Sequence, residues 1–250
     1  MSARFEELAW QDTPMGEISL RRRVEPTLGV DVFEVKLGDE YLMSSLFTVA
    51  EIELARLGLA AVTGTGLDVV VGGLGLGYTA RTVLDDVRVD SLLVVEALAE
   101  VITWHERELL PDTAGLAGDP RARLVNGDFF AMTGDGRGYD PDAWGRRFHA
   151  VLLDIDHTPR HVLHPSHAGF YDVDGLTRLA GHLHPGGVFA LWSDDPPDPD
   201  FMGVLAEVFV TAVAHVVDFP NPLTGGVSSN TVYVAVSAQA GQQRGDVVQH

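Results

Sequence analysis

One nine-residue stretch limits the possible folds more than any other part of the chain. Residues 69–77 are Val-Val-Val-Gly-Gly-Leu-Gly-Leu-Gly, and the three valines predict a buried parallel strand. Gly73, Gly75 and Gly77 then form a Gly-x-Gly-x-Gly turn, which needs backbone angles that side chains forbid. Such a turn lets a nucleotide or nucleoside lie against the backbone and a helix N-terminus. Glycine turns also occur without a ligand, so the residues around the turn are needed to decide whether this one binds a ligand.

Strands and helices alternate on both sides of this turn, which predicts an α/β fold with a mostly parallel sheet covered on both faces. The last two predicted strands have no helix between them, so they should pair antiparallel. The predicted strands are 67–72, 92–95, 122–125, 148–153, 188–192, 214–218 and 231–236, and the predicted helices are 78–84, 98–110, 174–183 and 202–209.

The first 60 residues differ in pattern from the rest. Residues 15–37 alternate between apolar and polar in places, which predicts a small β-hairpin or meander, and residues 48–59 have helical spacing. We therefore expect an N-terminal β segment with a linking helix over 1–60 and a nucleoside-binding α/β domain over 61–236. Residues 237–250 are polar, and we expect a disordered tail there.

Charge and composition exclude several classes of function. The 250-residue chain has a formal net charge of −19, which repels phosphate backbones and argues against nucleic acid as a partner, although it suits a cationic substrate such as an amine. It has no cysteine, which excludes disulfides, thiolate nucleophiles and zinc–cysteine sites. No apolar run is long enough to span a bilayer, so we expect a cytoplasmic enzyme with no membrane partner.

Acidic residues follow three of the predicted strands, at the sheet edge where ligands bind in open α/β folds. Glu96 comes about 20 residues after the turn and can accept hydrogen bonds from a ribose diol; the alternative is an acidic helix N-terminus. Asp128 can accept from an adenine amino group, with Phe129 beside the base, or it can simply cap the next helix.

A third group of candidates follows the strand at 148–153. Asp154 can orient an acceptor amine or take its proton, and Asp156 two residues later also favours a bound cation; either residue can instead cap a loop before Pro159. The same segment carries several histidines that suggest a metal, with Asp156 as an added ligand. Two prolines interrupt the helical register, so we expect loop histidines and no metal. These histidines are His157, His161, His164 and His167.

Together these residues resemble the spermidine synthase family within the class I AdoMet-dependent methyltransferase fold. The resemblance extends from the N-terminal β segment to about residue 236. It matches the family's glycine motif to residues 73–78, followed by Arg81. It also implies roles for single residues: ribose binding by Glu96, adenine contact by Asp128 and catalysis by Asp154. The implied fold is a seven-stranded, Rossmann-like sheet with an antiparallel last strand and a small N-terminal β extension, and the implied assembly is a homodimer.

Two positions depart from the family pattern. Leu76 stands where aminopropyltransferases of the family carry an Asp that helps to bind the aminopropyl arm of decarboxylated AdoMet. His157 stands where the family has the second Asp of its catalytic segment, so we expect Asp156 and His157 to contact the substrate. A leucine cannot pair with an ammonium group. We therefore expect an AdoMet-dependent methyl transfer to a small amine-bearing acceptor.

Three other functions remain open on the sequence alone. The first is aminopropyl transfer from decarboxylated AdoMet to a diamine, the reaction of spermidine synthase itself. The second is an NAD(P)-dependent oxidoreductase, because residues 75–80 also fit Gly-x-Gly-x-x-Ala. The third is a non-catalytic binding protein that retains the fold.

Overall fold

The structure, a computed structural model, describes residues 5–241 of the chain. It begins with a four-stranded antiparallel sheet in which each strand pairs with the next along the chain. A helix, α1, then leads into the larger part of the fold. The strands of this first sheet are β1 (Phe5–Thr13), β2 (Gly16–Val24), β3 (Asp31–Leu37) and β4 (Glu40–Ser44), and α1 is Val49–Ala60.

A seven-stranded sheet in the order β10-β11-β9-β8-β5-β6-β7 forms the centre of the molecule. Its strands pair in parallel except for β11, which runs antiparallel to both β9 and β10. The strands are β5 (Leu67–Gly72), β6 (Val89–Glu96), β7 (Ala122–Asn126), β8 (Phe148–Leu153), β9 (Leu183–Ser193), β10 (Thr211–Asn221) and β11 (Gly226–Val236).

Helices cover both faces of this sheet, and its central strands β5 and β8 are buried on both sides. Successive side chains of β5 point to opposite faces, so Val69 and Val71 belong to one core cluster and Val70 to the other. Ile18 and Val35 of the small sheet join the first cluster. The helices are α2 (Tyr78–Asp85), α3 (Ala99–Glu106), α4 (Phe129–Gly134), α5 (Val173–Ala180) and α6 (Pro199–Val208), with 3-10 turns at Pro111–Thr113 and Pro165–Phe170.

The seven-stranded α/β fold and the N-terminal β extension are confirmed, with differences at element ends. The helix predicted over 98–110 is shorter in the structure, where α3 ends at Glu106. Glu108 has φ 54°, and Leu109 N–H donates to the carbonyl of Trp104, which closes the helix with a left-handed residue. Strands β1 and β4 were not predicted. Residues 237–241 contain no helix or strand, and the rest of the expected tail, 242–250, lies outside the described residues.

No helix within residues 5–241 has the length and apolar character needed to cross a bilayer.

Candidate active site

The glycine turn adopts the backbone conformation that its sequence requires. Gly73, Gly75 and Gly77 have φ of 91°, 47° and 88°, a region that side chains strongly disfavour. Gly73 also lies so close to the backbone carbonyl of Asp154 that a Cβ atom would collide with it. Gly77 is the N-cap of α2. The turn therefore holds the ends of β5 and β8 together and leaves its own backbone accessible from the side of the sheet's carboxyl edge.

Glu96 ends β6 beside this turn. One carboxylate oxygen accepts from Leu74 N–H at 3.0 Å and the other from Leu98 N–H at 2.9 Å. Burial raises the pKa of the Glu96 carboxyl, and these backbone donors oppose the shift. Each carboxylate oxygen has two lone pairs, so the side chain can still accept hydrogen bonds from the adjacent cavity that it lines.

Asp128 caps α4 and lines the same cavity. Its Oδ1 accepts from the backbone N–H groups of Phe130 and Ala131 at 2.9 and 3.1 Å, which leaves Oδ2 for another donor. Phe129 is 2% exposed and stacks on Tyr139 with ring centroids 4.8 Å apart. Phe130 is only partly buried, so it is the more accessible aromatic ring of this wall.

Asp154 and Glu51 form a pair of carboxyl groups above the turn. Thr79 Oγ1–H donates to Asp154 Oδ2 at 2.8 Å and lies 3.2 Å from the backbone carbonyl of Glu51, which joins α1, α2 and the end of β8. Burial raises the pKa of Asp154 to about 6, against the effect of the Thr79 hydroxyl. Burial, and then the charge of Asp154, raise the pKa of Glu51 to about 8. Such a pair attracts a cation strongly.

Asp156 and His157 point in different directions. Asp156 is 1% exposed and accepts from Leu163 N–H at 2.7 Å, His167 Nδ1 at 2.9 Å and Tyr171 OH at 2.8 Å. It lines neither cavity of the site, and its three hydrogen bonds hold the loop after β8 in place. His157 does reach a cavity wall, where its Nε2 lies 3.3 Å from Glu40 Oε1.

Two adjoining cavities surround the turn. The larger, of about 300 Å³, lies beside Glu96 and Asp128, and the smaller, of about 90 Å³, lies beside Glu51. Asp154 and Gly75 border both. The roof is the small N-terminal sheet, which contributes Leu42 and Met43 of β4 to both cavities and Ile18 and Val35 to the larger. The turn is therefore open to a ligand that has one part in each cavity.

The two cavities are acidic and apolar. Among the described residues that line them, none is Lys or Arg, whereas Glu51, Glu96, Asp128 and Asp154 are all present. Trp192 of β9 contributes an aromatic wall to the smaller cavity, and its indole N–H has no hydrogen-bond partner within the described part of the chain. A ligand that carries positive charge is favoured here, and one that carries a carboxylate is not.

The four loop histidines do not converge on a metal site. His167 is bound to Asp156, His157 to Glu40 and His164 to Ser166. Within residues 5–241 the one group of three possible ligands is Asp68, His149 and His184, at the opposite edge of the sheet. There His149 Nδ1 accepts from Asp68 N–H at 3.0 Å, and the Asp68 carboxylate is paired with Arg146. These atoms already have partners within the protein, so this group gives no support for a bound ion.

Three residues of the site, Glu51, Thr79 and Trp192, were not identified from the sequence. Thr79 comes two residues after Gly77, in the first turn of α2. Glu51 lies in the first turn of α1, where an acidic residue is ordinary because the helix dipole favours it. Nothing in the sequence places it beside Asp154, because that depends on how α1 packs.

No family model and no curated protein sequence matches the chain. Its fold does match solved structures. Spermidine synthase from Thermotoga maritima is 16% identical with a TM-score of 0.68, and the match covers 93% of this chain and 73% of that one. A spermidine synthase in complex with the transition state analogue AdoDATO is 17% identical with a TM-score of 0.70, covering 93% and 74%. At this identity the likeness shows a common fold.

Proposed function

We propose that this protein is an aminopropyltransferase-type enzyme, which transfers the aminopropyl group of decarboxylated AdoMet to an amine acceptor. The observation that carries the proposal is the Glu51–Asp154 carboxyl pair at the glycine turn, in cavities whose described lining contains no Lys or Arg. The common fold with spermidine synthases supports it. It replaces the methyl transfer expected from the sequence.

The larger cavity suits the adenosine part of the donor. Glu96 is positioned to accept hydrogen bonds from the ribose diol, and the free oxygen of Asp128 to accept from the adenine amino group. Phe130 offers an aromatic face to the base. Gly73, Gly75 and Gly77 allow the sulfonium to lie against the backbone, where side chains would exclude it.

The smaller cavity decides between the two sulfonium donors. AdoMet carries a carboxylate in addition to its amine, and that carboxylate would face Glu51 and Asp154 with no described cationic side chain nearby. Decarboxylated AdoMet carries only the amine, which Glu51 can bind as an ammonium group. Leu76 is 5% exposed and cannot pair with that group. Glu51 therefore supplies the negative charge for the donor's ammonium group that Leu76 cannot supply.

Asp154 borders both cavities and so stands beside the bond that must break. Asp154 first takes a proton from the ammonium group of the acceptor, and the freed lone pair attacks the aminopropyl carbon next to sulfur. The C–S bond electrons return to sulfur, which leaves neutral methylthioadenosine and a secondary ammonium group on the product. A carboxyl pKa of about 6 suits a general base at neutral pH. The Thr79 hydroxyl holds this carboxylate in place.

Calorimetry with both sulfonium donors tests the choice of donor. We expect decarboxylated AdoMet to bind at least about tenfold more tightly than AdoMet, because one favourable charge pair replaces a repulsive one. Tighter binding of AdoMet would contradict the proposal and restore methyl transfer. Nicotinamide cofactors should not bind, and saturable binding would instead support an oxidoreductase.

A matched pair of variants tests catalysis. Asp154→Asn should lower kcat by a factor of about 10² to 10⁴ while methylthioadenosine still binds, because the proton acceptor is lost and the cavity keeps its shape. Asp12→Asn changes an exposed carboxyl group of β1 and should have no effect. Full activity in Asp154→Asn would exclude the proposed base. A homodimer, which the family resemblance implies, and a cytoplasmic location remain parts of the proposal.

A further inference from the structure

The smaller cavity has two carboxyl groups, and most of the other side chains that line it are apolar. Glu51 and Asp154 are the only carboxyl groups among the described residues that line it, and both lie at the glycine turn. The remaining walls include the apolar side chains of Leu42, Met43, Ile155, Leu163 and Trp192. If Glu51 binds the donor's ammonium group, Asp154 alone remains for the acceptor. This step rests on the proposed function.

His157 lies at the wall of the smaller cavity and pairs with a carboxyl group that does not line it. Its Nε2 is 3.3 Å from Glu40 Oε1, so that carboxyl group already has a partner. Glu40 itself is exposed and does not line the cavity. A second ammonium group on the acceptor would therefore lose its hydration beside Leu163 and Trp192. The indole face attracts a cation less than a carboxylate does, so it cannot replace that hydration.

We propose that the acceptor is a primary monoamine with a short apolar chain, and that diamines are poor acceptors. Its nitrogen lies at Asp154 and its chain lies against Leu163 and Trp192. The smaller cavity has a volume of about 90 Å³ and also receives the donor's aminopropyl group, so only a short acceptor chain fits beside it. A single charge at one end and carbon at the other matches the charge distribution of this cavity.

A titration that does not depend on turnover tests the acceptor class. The Glu51→Gln variant, whose site for the donor amine carries no charge, is saturated with methylthioadenosine, and n-butylamine and 1,4-diaminobutane are titrated by calorimetry. These amines have the same chain length and differ in the second ammonium group. We expect butylamine to bind at least about tenfold more tightly, and the same order in kcat/KM with decarboxylated AdoMet. Equal or tighter binding of diaminobutane, or binding of neither amine, would overturn the inference.

Failure of the proposed function would look different. If methylthioadenosine does not bind, or if butylamine binds without being alkylated, the proposed transfer is wrong. The order of amine affinities, measured on the free protein where necessary, still decides the acceptor class.

Substitutions at the cavity wall give a second, independent readout. His157→Asp places a carboxylate at the apolar end and should shift the butylamine-to-diaminobutane affinity ratio toward the diamine by about tenfold. His157→Asn is the matched control, since it removes the ring without adding charge at this position, and Trp192→Phe keeps an aromatic wall. Both should shift the ratio much less than His157→Asp does. An unchanged ratio in His157→Asp would contradict the inference.

Discussion

At the scale of single residues, the site depends on two carboxyl groups that share one small space. Asp154 follows a buried strand and Glu51 lies in the first turn of a helix. The Thr79 hydroxyl donates to the carboxylate of Asp154 and lies 3.2 Å from the backbone carbonyl of Glu51. Their raised pKa values mean that the free protein holds protons that two isolated carboxyl groups would release. A bound cation favours the charged forms of both carboxyl groups and so releases these protons. Their protonation can therefore be followed by proton release on binding and by the pH dependence of stability.

Glu51→Gln should change how stability depends on pH. Because the folded pKa of Glu51 is raised to about 8, the folded chain binds more protons than the unfolded chain, and the free energy of unfolding falls as pH rises from about 4.5 to 8. The variant should lose much of this fall, on the order of 2 kcal/mol between pH 5 and 8. Chemical denaturation at several pH values measures it. An identical pH profile in both proteins would contradict the raised pKa.

Gly73→Ala should be far more harmful than Gly64→Ala. The two glycines have nearly equal φ, 91° and 89°, so the backbone strain of an alanine is matched at about 1 to 2 kcal/mol. A Cβ at Gly73 collides with the carbonyl of Asp154, whereas no atom lies within 4 Å of one at Gly64. We expect a difference of at least about 2 kcal/mol in the free energy of unfolding, from urea denaturation. Equal losses would show that the close approach is not needed.

At the scale of secondary-structure elements, a strand could be predicted where its own residues show a clear hydrophobic pattern. The strand at Leu67–Gly72 and the strand at Phe148–Leu153 were predicted with correct bounds, because both are mainly apolar runs followed by turn residues. Strand β1 was missed because it is half exposed and a bulge between Glu7 and Ala9 breaks its alternation. Strand β4 was missed because it is short and at a sheet edge.

The same reason explains which site residues could be found. Glu96, Asp128 and Asp154 follow strands, and the carboxyl ends of parallel strands meet at one edge, so sequence order alone predicts that they are neighbours. Glu51 lies on α1, whose position depends on close packing of Gly58 against Leu152. That packing is a tertiary contact, which local periodicity does not encode.

The end of α3 offers a test of helix termination. Glu108 is exposed and has φ 54°, a conformation that favours glycine. Glu108→Gly should therefore raise the free energy of unfolding by about 0.5 to 1 kcal/mol. Glu106→Gly, within the last turn of the helix, should lower it by about 1 kcal/mol. Thermal unfolding of the two variants measures both. Destabilisation by Glu108→Gly would mean that the left-handed residue is not present in solution.

At the scale of the whole molecule, charge and cavity composition agree. The net charge of −19 attracts cations from solution, and the described cavity lining contains acidic groups without Lys or Arg. The proposed cationic donor and amine acceptor would both gain from this field before they make any contact.

Activity should therefore fall as salt rises. We expect kcat/KM for the amine acceptor to drop about threefold between 20 and 200 mM NaCl, because ions screen exposed charges over about 10 Å. The kcat value should change little, since the groups inside the cavity are shielded from salt. Initial rates at several salt concentrations, with sucrose as a control for solution effects that do not depend on charge, measure this. A kcat/KM that does not depend on salt would argue against long-range attraction.

The roof of the larger cavity belongs to the small sheet and the floor to the large one, through Ile18 and Val35 above and Gly73 and Glu96 below. A nucleoside bound between them would contact both sheets. Its binding free energy would therefore also stabilise the packing of one sheet against the other. Amide protons of strands β2 and β3 should then exchange more slowly with solvent when methylthioadenosine is bound, although no residue of those strands has a role in the proposed transfer.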